Sequence, residues 1–148
     1  MTRVRQRGVT LLELMTVVMI VGVLAAIAIP SYRTYLMRAQ RSDATAALLR
    51  VAQAQEKFYL QNNRYATNAE LGLGPPAGLG IVRTEHQFYT ITLGAVADNT
   101  LSFLATATPV AGGPQAKDVS CATFTIDQQG TRGAKTSATT DNTEPCWR

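Results

Sequence analysis

The chain has 148 residues, a formal net charge of +4 and 46% hydrophobic side chains, which leaves room for about one domain with a modest core. Its charge is segregated: Arg3, Arg5 and Arg7 come first, residues 31–64 carry six basic against two acidic side chains, and residues 65–148 carry five basic against seven acidic. The positive total therefore says little about a nucleic-acid partner, and the acidic excess of the C-terminal part argues against one.

The first predicted element is an apolar run. Residues 9–29 hold only Thr10, Glu13 and Thr16 as clearly polar side chains. As a helix, 21 residues span roughly 30 Å at about 1.5 Å each, the thickness of a bilayer's hydrocarbon core. The arginines ahead of it read as a cytoplasmic flank. Three readings compete. A secretory signal would use Ala26-Ile27-Ala28 as its small-residue cleavage site, but the run is long for a signal and contains Glu13. A plain membrane anchor tolerates the length, yet a carboxylate at depth costs about 2.5–3.5 kcal/mol on insertion scales. The third reading gives Glu13 a task and a partner.

After Pro30 the helical pattern is expected to continue to about residue 62. Ala47, Val51, Ala54 and Phe58 recur at helical spacing, with Leu48 and Tyr59 widening the stripe. The basic residues fall between and opposite these positions, as a solvated face or as contacts to acidic surfaces of neighbouring subunits. Residues 72–80, "GLGPPAGLG", cannot form regular helix or central strand, so residues 65–85 read as a loop. Strands are expected at residues 87–93, 101–107 and 122–127, with Asp98-Asn99 in a turn and Phe124 and Ile126 on one face. Residues 128–133, "QQGTRG", then turn. The fold expected is α+β: a long N-terminal helix, its first half transmembrane, packed on an antiparallel sheet of three or four strands.

Two cysteines occur, Cys121 and Cys146. Export past a membrane would place both in an oxidising compartment. A bridge would close a loop of about 26 residues and contribute roughly 3–4 kcal/mol by the chain-entropy account, tying down a tail rich in Gly, Ser, Thr and Asn. Two free buried thiols are the alternative. No enzyme, cofactor or metal is expected. His86 is the single histidine and falls in a predicted loop, and no nucleophile–base motif, phosphate loop or zinc spacing is present. Asp118, Asp127, Asp141 and Glu144 could supply oxygen ligands for calcium, but without regular ligand spacing.

The stretch Gly8-Val9-Thr10-Leu11-Leu12-Glu13-Leu14-Met15 resembles the class III leader of type IV pilins and pseudopilins. The resemblance runs through "VVMIVGVLAAIAIPSY" to Tyr32, and more loosely to Tyr65. It implies a pilin fold with a leader at 1–8, a transmembrane and assembly helix at 9–30, and a globular domain at 31–148. It further implies cleavage by a prepilin peptidase between Gly8 and Val9, and methylation of the new N-terminus. The first mature residue of the family is usually Phe and is Val9 here. Glu13 would then pair with the free amine of Val9 of another subunit, fixing register. Gly22 and Pro30 would bracket a segment able to stretch or melt, and Cys121 and Cys146 would bound the family's C-terminal disulfide loop. The ending "C…FTIDQQG…G…CW" looks most like minor pilins that prime and join the pilus.

The function implied is a structural subunit of type IV pili, serving motility, adhesion or assembly. Its partners would be other pilin subunits, the peptidase, the inner-membrane assembly platform, and the membrane itself before assembly. The chain would reside in the inner membrane of a Gram-negative-type bacterium and then in the extracellular pilus. A type II secretion pseudopilin is the alternative within the family. A DNA-binding pilin for natural transformation is an alternative of another class, opposed by the acidic C-terminal part.

Overall fold

The computed structural model describes residues 9–94, 96 and 98–147; the expected leader, with Gly8, lies outside the described residues. The chain divides into two compact units, Met1–Leu36 and Met37–Arg148. Helix α1, Leu11–Asn62, contributes to both and contains Pro30. It ends at the residue expected from the sequence.

In the first unit every side chain from 9 to 29 is exposed except the half-exposed Ala25. Such a surface is stable only in lipid or against other helices, and α1 is long and apolar enough to cross a membrane.

In the second unit the remaining turns of α1 lie on a four-stranded antiparallel sheet in the order β1-β2-β3-β4. The strands are β1 Tyr89–Leu93, β2 Leu104–Pro109, β3 Thr123–Asp127 and β4 Arg132–Lys135. The second strand begins three residues later than its alternation indicated, because Asp98 organises a wider turn through its bonds from Thr100 and Ser102. The fourth strand starts within the turn expected at residues 128–133, and only the expected count of three or four strands allows for it. Its four residues carry one buried side chain, Ala134, too few to show a period. What makes it a strand is pairing: Gly130, at φ +74°, closes the turn from β3, and Asp127 Oδ1 accepts N–H bonds from Gln129 and Thr131.

One face of the sheet carries Tyr89, Ile91, Leu93, Ala105, Ala107, Phe124, Ile126 and Ala134, all buried with Ala44, Ala47, Leu48, Val51 and Phe58 of α1. The alanines at the centre of β2 leave room for the helix to approach. Opposite, Thr90, Thr92, Thr106 and Thr125 occupy paired positions, β-branched residues that suit a half-exposed pleat. Both sheet edges are covered, which blocks strand addition. Residues 82–84 run along β1 through Ile91 N–H to Val82 O and Thr84 N–H to Tyr89 O, while Asn142 N–H bonds Ala134 O beside β4.

The helical stripe is more polar than the sequence indicated. Ala54 and Tyr59 are only half-buried, whereas Gln55 is fully buried. Its amide satisfies itself on one backbone unit, accepting from Ala66 N–H at 2.7 Å and donating to Ala66 O at 3.0 Å. That pair fixes the chain where it leaves α1.

Candidate functional site

The N-terminal region is built from its first helical turn. Thr10 lies just ahead of α1, and its Oγ1 accepts the N–H of Glu13 at 3.2 Å. A threonine three residues before a glutamate is the spacing of a capping box, and Glu13 is the acid of the helix's first turn, where a negative charge is favoured by the helix dipole. The sequence reading missed this local role, although the T-x-x-E spacing before an apolar run carries the signal. Thr16 Oγ1 returns its proton to Leu12 O at 2.8 Å and Thr34 Oγ1 to Pro30 O at 3.1 Å, so these hydroxyls need no water. A Cβ built on Gly22 meets nothing within 4 Å; no contact within the chain requires a glycine there.

A second polar assembly holds the C-terminal tail in the globular unit. Cys121 and Cys146 form a disulfide with their Cα atoms 5.8 Å apart. Beside it, Arg41 makes a two-pronged bond to the nearly inaccessible Asp118, at 2.6 Å from Nε and 2.9 Å from Nη2. Asp118 also accepts N–H bonds from Ser120 and Cys121. One arginine of the supposed solvated face is therefore a half-buried clamp between α1 and the residues leading to the disulfide. Next to it, Tyr89 O–H donates to Gln115 Oε1 at 2.8 Å, and Gln115 Nε2 donates to Gln40 Oε1 at 2.7 Å. Burial, with the Asp118 carboxylate nearby, pushes the Tyr89 phenol up, keeping it a neutral donor. Trp147 closes the tail by donating Nε1–H to Gly133 O at 2.9 Å, its ring edge-on to Phe124 and beneath the Arg132 guanidinium.

The other singled-out residues have local partners. His86 Nδ1 lies 3.1 Å from Asp43 Oδ1, Asp127 organises the β3–β4 turn, and Asp141 accepts the Thr143 hydroxyl at 2.6 Å. Asp118, Asp127, Asp141 and Glu144 form no metal-holding group among the described residues. Arg64 grips Glu70 through both carboxylate oxygens, and Thr67 adds two more donors. These bonds, Arg64 foremost, overcome burial and hold the Glu70 carboxyl down at about 2. The sign follows: the pair's contribution is complete above the ordinary carboxylate range near 4.5 and is lost as pH falls toward 2.

A family profile described as type IV minor pilin ComP, DNA uptake sequence receptor, matches residues 30–125. The chain belongs to this type IV minor pilin family. A second profile, the prokaryotic N-terminal methylation motif, matches residues 3–29 of the pilin. The type IV major pilin protein PilA of Myxococcus xanthus is 44% identical over 75 residues, which is 50% of this pilin and 34% of PilA. The type IV major pilin protein PilE1 of Neisseria gonorrhoeae is 42% identical over 72 residues, 49% of this pilin and 34% of PilE1. The matched stretch thus spans about a third of the length of these relatives. The crystal structure of the non-core minor pilin PilV of Neisseria meningitidis superposes with a TM-score of 0.52 at 21% identity, covering 72% of this pilin and 93% of PilV; it supports the fold of a long helix on an antiparallel sheet.

Proposed function

We propose that the chain is a minor structural subunit of a type IV pilus, made as a membrane-anchored precursor and assembled through its N-terminal helix. The observation that carries this reading is the methylation motif over residues 3–29, whose described residues, 9–29, are largely apolar and almost wholly exposed. Cleavage between Gly8 and Val9 by a prepilin peptidase would remove three arginines and create an amine on Val9, cationic near neutral pH at a reference pKa of about 7.7–8.0. Between staggered subunits that amine meets Glu13 of a neighbour. In lipid neither charge is well solvated, so pairing relieves the cost and sets the register. Gly22, where a Cβ would meet nothing within 4 Å, and Pro30, which has no N–H for the helix ladder, permit the segment between them to adjust during packing. An inner-membrane assembly platform would move the subunit from membrane pool to extracellular filament.

Intact-mass analysis of the chain in sheared filaments and in the membrane pool tests this. The expected mass lacks residues 1–8 and carries an added methyl on Val9. A chain beginning at Ile29 would establish the signal-peptide reading instead, and absence from filaments would remove the pilus reading.

A second reading, DNA capture, has one observation in its favour: the matched family is described as a DNA uptake sequence receptor. Against it stand seven acidic and five basic side chains in residues 65–148, with Arg41, Arg50 and Arg64 already paired to carboxylates. Duplex-DNA binding by the full chain in detergent micelles is therefore expected to be weak and to vanish between about 50 and 200 mM salt. Tight binding that survives that range would make DNA capture the primary role.

A further inference from the structure

A cavity of about 510 Å³ opens between residues 66–69, after α1, and the stretch of Asn99, Ser102 and Phe103 ahead of β2. Its volume falls in the range of small-molecule sites, and among the described residues no charged side chain lines it. Its polar lining comes from Thr67, Asn68, Asn99 and Ser102, and its apolar lining includes Leu93 and Phe103.

Each polar side chain uses one function to brace the wall and keeps another. Asn68 Oδ1 accepts Leu93 N–H at 2.9 Å, which leaves its NH₂ group. Asn99 Nδ2 donates to Tyr65 O, which leaves its Oδ1. The Thr67 hydroxyl donates to Glu70 and the Ser102 hydroxyl to Asp98 O, so both keep lone pairs. The groups are thus held in place before any ligand arrives, which lowers the ordering cost of binding. The remaining inventory mixes one strong donor with several acceptors. An anion would meet mostly acceptors and no cation, and a cation would meet no carboxylate. A ligand whose groups both donate and accept, with an apolar face for the accessible Ala69 and Val96, satisfies all of it.

We infer that this cavity is a binding site for a neutral carbohydrate, one or two sugar rings of an uncharged surface glycan. The site stands independently of the pilus reading, since the globular unit carries all of it.

The test is saturation-transfer NMR on the full chain in phosphocholine-detergent micelles, which carry no sugar head group. The probes are glucose, galactose and N-acetylglucosamine, with glucuronate as the charged comparison. At least one neutral sugar should receive saturation and glucuronate should not. Ala69→Phe, at an exposed residue that lines the cavity, fills it from the rim. Asn68→Asp keeps the acceptor for Leu93 N–H and replaces the NH₂ donor. Both should lower neutral-sugar affinity by at least about tenfold, with an unchanged circular-dichroism spectrum. No transfer from any neutral sugar, equal transfer from glucuronate, or full binding by both folded variants would each overturn the assignment.

Discussion

Glu13→Val should reduce the fraction of the chain found in sheared filaments, relative to the membrane pool, by at least about tenfold. The estimate follows from the roughly 3–5 kcal/mol cost of breaking a buried ion pair, of which 1.4 kcal/mol already gives a factor of ten. The incoming amine of Val9 would be left in lipid without its partner. The substitution should not unfold the helix. The cap from Thr10 Oγ1 goes to the backbone N–H of residue 13 and survives, so the local loss is the carboxylate's interaction with the helix dipole, about 0.3–1 kcal/mol. Membrane insertion should hold or improve because a costly group is gone. Glu13→Asp keeps the charge with a shorter reach, and an intermediate defect is expected where geometry sets register. If Glu13→Val enters filaments as well as the unaltered chain while cleavage stays normal, the ion-pair account fails. The capping contact then becomes the leading role of this end of the helix.

Replacing both cysteines, Cys121→Ser with Cys146→Ser, should cost about 3–4 kcal/mol, the chain-entropy value for a loop of this length. For a unit of about 110 residues that is a fall in melting temperature of roughly 10–15 °C, measured by circular dichroism of the full chain in micelles. The damage should be local first. Limited proteolysis is expected to cut within residues 136–147 before any strand of the sheet, because α2, Thr143–Cys146, has a single buried residue, the disulfide cysteine Cys146. The Arg41–Asp118 clamp keeps the residues before Cys121 in place, since Asp118 reaches α1 without the disulfide. A change in melting temperature below about 2 °C, under 1 kcal/mol at this size, would show that the Trp147 and Asn142 contacts hold the tail unaided.

The sequence by itself determined whatever depends on near neighbours in the chain. The apolar run at 9–29, the end of α1 at Asn62, the Gly/Pro loop and the alternating strands β1 and β3 were all legible, because helical and strand periods repeat within a few residues. The leader motif was legible for the same reason: its basic, glycine, apolar and acidic positions are consecutive. The capping contact of Thr10 with Glu13 was equally local and was simply not read. Only the tertiary structure decided the rest. It turned Arg41 from a surface charge into a half-buried clamp on the buried Asp118, 77 residues away. It buried Gln55 against the backbone of Ala66 and made a strand of residues that start within an expected turn. The two polar groups find their partners 77 and 11 residues away, and the short segment finds its own in the neighbouring strand β3. Burial forces that pairing, because an unpaired polar group in the core costs about as much as a lost hydrogen bond, and no period along the chain records which partner it takes.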